Sequence, residues 1–133
     1  MRDKNRDSHR CEDWFSYAEF DLASAKTLYN SKNALHSAFH CQQCIEKALK
    51  GYLLLKRGKL YDGHNITWLV KQASMLSKAF DSYIAETVTI NKFYIETRYP
   101  PDTPLVIDEK YLKKLIKISE EILDFALIDY KLW

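Results

Sequence analysis

Ala38-Phe39-His40-Cys41-Gln42-Gln43-Cys44-Ile45-Glu46-Lys47-Ala48-Leu49-Lys50-Gly51-Tyr52-Leu53 is the stretch that decides the fold. Turned through about 100° per residue, Leu35, Ala38, Phe39, Cys41, Ile45, Ala48, Leu49, Tyr52 and Leu53 gather on one broad apolar face. Gln42 and Glu46 fall inside that face. An unsatisfied buried polar group costs roughly 1–3 kcal/mol, and an unpaired charge costs more. Two such residues one turn apart imply either a satisfied internal network or a site.

Working outward, this helix spans about Ala34 to Arg57 and stops at Gly58, with a polar loop from Lys59 to Gly63. Upstream, a helix beginning near Cys11 carries the stripe Trp14, Phe15, Ala18, Leu22, Ala25, Leu28 and Tyr29, and ends at Asn30-Ser31-Lys32-Asn33. Asp21 lies within that stripe. Downstream, Asn65 is a good N-cap for a third helix with Ile66, Leu69, Val70, Ala73 and Leu76 facing inward. A further helical segment carries Phe80, Tyr83, Ile84, Thr87, Val88, Asn91, Tyr94 and Ile95, and the pattern leaves open whether it continues the third helix. Arg98-Tyr99-Pro100-Pro101-Asp102-Thr103-Pro104 must be non-helical, because proline lacks a donor and pushes its predecessor to extended geometry. The last helix starts near Asp108 and presents Tyr111, Leu112, Leu115, Ile116, Ile118, Ile122, Leu123, Phe125, Ala126 and Tyr130. The pattern predicts an all-α, antiparallel up-and-down bundle of four to five helices, with residues 1–11 a charged flexible tail and 12–133 a single domain.

Composition narrows the class. The chain of 133 residues is 47% hydrophobic and 29% charged with 3 Gly and 3 Pro, which suits one core built from long helices. A net charge of +2 is too small to argue for nucleic-acid binding globally, so any such case must rest on local patches. No uninterrupted apolar run exceeds four residues, the length of Tyr52 to Leu55, far short of the ~20 residues a membrane span needs, and the N-terminus is charged. Cys11, Cys41 and Cys44 are an odd number, with two on one helix, so reduced thiols and a cytoplasmic location are expected. Phe20, Leu54, Ile128 and Trp133 lie off the apolar stripes and together suggest a surface that pairs two copies as a homodimer.

Several residues could carry chemistry. His36, His40, Cys41 and Cys44 have partly helical ligand spacing, but one helix orients at most two or three of them towards an ion and no second Cys/His cluster exists. No metal is expected. Gly51, Gly58 and Gly63 form no phosphate-cradling loop, and no cofactor motif is present. Gln43, Lys47 and Lys50 run along the polar side of the second helix towards Lys56, Arg57 and Lys59, a strip that suits either phosphates or solvent. Arg98 ends the stripe through Thr87, Asn91, Tyr94 and Ile95, so its permanent charge needs an anion within the bundle. Asp21 and Glu46 are the natural partners, giving an expected buried network of Asp21, Gln42, Glu46 and Arg98. His64, just before a helix start, could reach a neighbouring loop or a substrate.

The second-helix run closely resembles the signature of HEPN domains, small helical bundles named for their occurrence in higher eukaryotes and prokaryotes and a nucleotide-binding association. Three further pieces follow in the family's order. Ala18-Glu19-Phe20-Asp21-Leu22 with Ala25 resembles its first helix, His64-Asn65-Ile66-Thr67-Trp68-Leu69 its third-helix start, and Tyr94-Ile95-Glu96-Thr97-Arg98-Tyr99-Pro100 its Arg-Tyr-Pro corner. The resemblance spans residues 14 to about 130.

The resemblance implies a dimeric bundle that accompanies a nucleotidyltransferase, in some cases as a toxin and antitoxin pair, or binds nucleotides, and the expected place for a nucleotide or for the nucleotidyltransferase is a cleft near Arg98, Tyr99, His64 and the second helix. In that reading Lys47 and Lys50 supply phosphate charge, and Tyr99 or Tyr61 a stacking platform. Ribonuclease members carry an Arg followed five to seven residues later by His and cut RNA without metal. This chain departs from that pattern, since Thr103, Pro104 and Leu105 stand at those offsets from Arg98 and no His follows His64. Arg57 and His64 meet the spacing but straddle a loop elsewhere in the fold. A ribonuclease with His64 as general acid or base and Arg98 as charge stabiliser is the rival reading, and a structural dimer whose buried charges set register is the third.

Overall fold

Four left-handed or capped junctions set the helix limits in the computed structural model, which describes residues 7–96, 98–103 and 106–132. The first helix, α1 (Cys11–Asn30), ends where Lys32 takes φ 66° and Asn33 N donates back to Leu28 O at 2.8 Å. α2 (Ala34–Arg57) ends at Gly58, also at φ 66°, whose N–H donates to Leu54 O at 2.9 Å. Asn65 Oδ1 accepts from Trp68 N to cap α3 (Ile66–Ser74), the cap that the sequence predicts. A 3-10 turn (Lys78–Tyr83) separates α3 from α4 (Ile84–Ile90), and α5 (Phe93–Glu96) follows. α6 (Glu109–Lys131) is capped by Asp108, whose carboxylate accepts from Tyr111 N. No strand occurs among the described residues, and no helix among them is long and apolar enough to cross a membrane.

Side-chain contacts fix the helix directions. Ser37 Oγ donates to Ala25 O at 2.7 Å, and Asp21 meets His40 and Lys47, so α1 and α2 form an antiparallel hairpin. α6 lies antiparallel to α1, with Phe15 against Tyr130 and Tyr29 bonded to Glu109. The loop from Gly58 to Asn65 carries the chain back beside Gln42, so α3 descends alongside α2 until Gln72 meets Arg57 at 2.7 Å. The 3-10 turn, α4 and α5 then climb back: Phe80 sits against Tyr52, Glu86 pairs with Lys114, and Tyr94 reaches His64. This all-α bundle is the expected architecture, and the return loop is what places His64 beside the middle of α2.

The core is drawn from Phe15, Ala18, Ile45, Leu49, Tyr52, Leu53, Leu69, Phe80, Leu115 and Ile122, all buried. Gly51 is required by a close approach: a Cβ there would lie 2.9 Å from the Phe15 ring and 3.1 Å from Trp14 Cβ. Some expected positions differ. Leu54 is buried in the core, whereas Leu76, which lies past the end of α3 at Ser74, and Val88, which follows the 3-10 turn that resets the helical phase, are exposed although read as inward-facing. Phe20 and Ile128 are exposed, as off-stripe residues should be, and Trp133 lies outside the described residues.

Candidate functional site

Two buried carboxylates, Asp21 of α1 and Glu46 of α2, are each ringed by donors, one on either flank of α2. On the α1 side Asp21, almost fully buried, receives a hydrogen bond from Lys47 Nζ at 2.6 Å and has His40 Nδ1 at 2.8 Å. On the α3 side Glu46 receives Lys50 Nζ at 3.2 Å, Gln42 Nε2 at 3.3 Å and His64 Nδ1 at 3.1 Å from both carboxylate oxygens. Lys50 and Glu46 sit one turn apart on α2 with their side chains only 7% and 5% exposed. The cost of burying each charge is offset by the other and by the surrounding donors. Gln42 also donates to His64 O at 3.3 Å and accepts from Gln43 Nε2 at 2.7 Å, so the amide holds the backbone at the residue whose ring Glu46 holds.

His64 is where this buried network reaches solvent. Its side chain is 47% exposed, and because a carboxylate can only accept, Nδ1 carries the proton and Nε2 is the outward nitrogen. The ring lies flat on Tyr94, with centroids 3.9 Å apart and planes 18° from parallel. Arg98 Nη1 donates to Tyr94 Oη at 2.6 Å, and the guanidinium carbon stands 4.9 Å from the Tyr94 ring and 5.8 Å from the Tyr99 ring. A carboxylate, an imidazole, a phenol and a guanidinium therefore follow one another from the interior to the surface. Such a column offers a general acid or base, two flat faces and a fixed positive charge.

The arrangement corrects part of the expected network. Asp21, Gln42 and Glu46 are buried as their helical phase predicts, but they belong to two separate clusters. Arg98 is exposed and bonds the Tyr94 hydroxyl; Glu46 is met by Lys50 and His64, and Asp21 by His40 and Lys47. The lysines predicted to meet phosphate are committed elsewhere. Lys50 is buried on Glu46 and stands 5.7 Å from the Trp14 ring, and Lys47 is tied to Asp21 and lies 5.8 Å from the Tyr17 ring. Tyr99 stands exposed beside Arg98. Tyr61 is not part of this column: Arg57 donates to its hydroxyl at 3.2 Å and its ring meets Trp68 edge to face.

His36 Nδ1 faces Asn33 Oδ1 at 3.1 Å, His40 is engaged by Asp21, and Cys41 and Cys44 are core residues. Burial pushes the Cys41 thiol up to about 12 and that of Cys44 well above the ordinary thiol value, so both remain neutral near pH 7. Among the described residues no group of three or more His, Cys, Asp or Glu side chains could hold a metal ion. Sequence reasoning placed Tyr94 only in the inward stripe and the Arg-Tyr-Pro corner and weighed His40 only as a metal ligand, so the part each plays here was missed. Tyr94 was legible as the i, i+4 neighbour of Arg98, whereas His40 is recognisable only once α1 and α2 are docked.

Comparison with known proteins agrees with this bundle. The family model for the HEPN domain matches residues 11–129, so the chain belongs to the HEPN family. Over 90 residues it is 30% identical to a protein of Methanocaldococcus jannaschii named "Putative toxin MJ1304", the match covering 62% of this chain and 59% of that protein. Less than two thirds of that relative's length is thus matched. The crystal structure of TT1696 from Thermus thermophilus superposes with a TM-score of 0.75 at 26% identity, covering 90% of this chain and 97% of that one. ST0689, described as an archaeal HEPN homologue, gives a TM-score of 0.69 at 27% identity over 88% of this chain and 94% of its own.

Proposed function

We propose that this HEPN protein binds the base and phosphate of a nucleotide, free or within RNA, at the His64, Tyr94 and Arg98 column, and that it acts as a homodimer with a nucleotidyltransferase in a toxin and antitoxin pair. The observation that carries the reading is the column itself: Glu46 anchors His64, His64 lies flat on Tyr94, and Tyr94 holds the Arg98 guanidinium. Arg98 supplies the charge for a phosphate, and the exposed Tyr99 beside it a flat face for a base. The toxin name of the Methanocaldococcus relative and the resemblance to nucleotidyltransferase-linked members support the context. Tyr17 and Phe20, exposed side by side on α1 with rings 5.9 Å apart, supply an apolar surface for a second copy.

Calorimetric titration with ATP tests the site. Saturable binding that weakens at least tenfold in Arg98→Ala and is unchanged in Lys59→Ala is the expected result. A flat trace with every nucleotide tried would remove the reading. A second reading, a metal-independent ribonuclease, is favoured by the Glu46 and His64 pair, linked to Arg98 through the Tyr94 ring, since a carboxylate-oriented imidazole is the arrangement of a general acid or base. RNA cleavage that persists with chelator and is lost in both His64→Ala and Arg98→Ala would decide for it.

A further inference from the structure

Beyond that column, the surface around the return loop combines aromatic rings with positive charge. Tyr61 and Trp68 meet edge to face with centroids 5.3 Å apart, and Trp68, on the outer side of α3, is 41% exposed. Lys59 Nζ stands 5.1 Å from the Tyr61 ring centre. Arg57 donates to Tyr61 Oη at 3.2 Å and to Gln72 Oε1 at 2.7 Å, so the ring is gripped at its hydroxyl and its orientation is fixed. Lys71 is exposed one turn past Trp68 on the same side of α3. Residues 56–72 hold Lys56, Arg57, Lys59 and Lys71 against a single acid, Asp62, and with Lys56 paired to Asp129 at 3.3 Å a local excess of two positive charges remains.

We infer that Trp68 and Tyr61, with Lys59, Lys71 and Arg57, form a second contact surface for single-stranded nucleic acid. The chemistry that recognises the ligand is stacking of successive bases on the rings with phosphates beside the cations, the combination that sequence-tolerant single-strand binders use. The surface is continuous with the His64 column. His64 immediately precedes the N-cap of α3, Trp68 lies one turn, about 5.4 Å, into that helix, and Gln72 marks its far end at Arg57. A strand whose terminal nucleotide occupies the column can run past Trp68 and Tyr61 along the exposed side of α3 to Lys71, about 10 Å on, so the site is a track longer than one nucleotide. The track extends the nucleotide-binding reading above, and it rests on that reading only for its first position.

Fluorescence anisotropy with labelled oligouridine of twelve residues, alongside ATP calorimetry, tests it. The expected result is that Trp68→Ala weakens the oligonucleotide about 5- to 150-fold, the range of one lost base stack, and leaves ATP unchanged. Lys59→Ala combined with Lys71→Ala should lower the slope of log affinity against log salt by about 1.4, or 0.7 per phosphate contact. The lysine pair, exposed in the fold, serves as the check if Trp68→Ala fails to fold. Oligonucleotide affinity and salt slope unchanged in both variants would overturn the track, even with ATP still bound at the column. Loss of ATP binding with intact, Trp68-dependent oligonucleotide binding would instead sink the column and keep the track. A wild-type chain that binds no oligonucleotide but captures a protein through Trp68 would overturn it as well.

Discussion

Glu46 stands between two donors of different character, and that decides what each substitution does. Lys50 is shut inside with it, whereas His64 has access to water. Glu46→Ala leaves the Lys50 ammonium buried without its carboxylate and should cost about 3–5 kcal/mol, the usual penalty for removing one member of a buried pair. Replacing both partners removes the stranded charge, so Glu46→Ala with Lys50→Met should recover a large part of that loss. His64→Ala should cost only about 1 kcal/mol, since it forfeits chiefly the contact with Tyr94. Urea denaturation of the four proteins checks all three expectations. Equal losses in Glu46→Ala and His64→Ala would mean that the carboxylate serves the imidazole alone.

At the scale of the helices, the close contact of α1 with α2 depends on Gly51. Alanine there would gain up to about 1 kcal/mol of helix propensity over glycine. Its Cβ, however, would sit 2.9 Å from the ring of Phe15, itself buried and held against Tyr130. Overpacking of this kind costs about 1–3 kcal/mol, so the net effect of Gly51→Ala should be destabilisation by about 1–2 kcal/mol. A thermal midpoint equal to or above that of the parent would show that Phe15 can step aside. The α1, α2 and α6 helices were legible because three long periodic stripes need only local sequence to be read. The buried acids were legible for the same reason: Asp21, Gln42 and Glu46 broke a pattern that their neighbours kept. Arg98 was not, because it stands beyond α5, where the helical phase that pointed it inward no longer applies. Nor could periodicity show that Glu46 would find His64, eighteen residues away across the return loop.

For the molecule as a whole, the buried acids that stay protonated set how it responds to alkali. Burial raises Cys41 from 9.0 to about 12 and Cys44 well above 9.0, while burial and the nearby Glu121 carboxylate raise Tyr83 from 10.0 to about 12. In each case the native state keeps a proton that the unfolded chain releases at lower pH. Well below the unfolded thiol value of 9.0 both states are protonated and these groups leave stability unaffected; as pH climbs through 9 the unfolded chain ionises first and stability falls, until the native groups ionise as well. A thiol ionised only in the unfolded chain contributes a slope of about 1.4 kcal/mol per pH unit. Urea midpoints should therefore decline from pH 8 to 10.5, and Cys41→Ala with Cys44→Ala should flatten the decline even though removing two packed sulfurs lowers the starting value. The same burial predicts reactivity: at pH 8 a disulfide reagent should titrate Cys11, which is partly exposed, and reach Cys41 and Cys44 only in denaturant. Prompt reaction of all three thiols in the native protein would mean that α2 and α6 separate readily, since Cys44 packs against Ser119 and the Ser119 hydroxyl donates to Cys41 O between them.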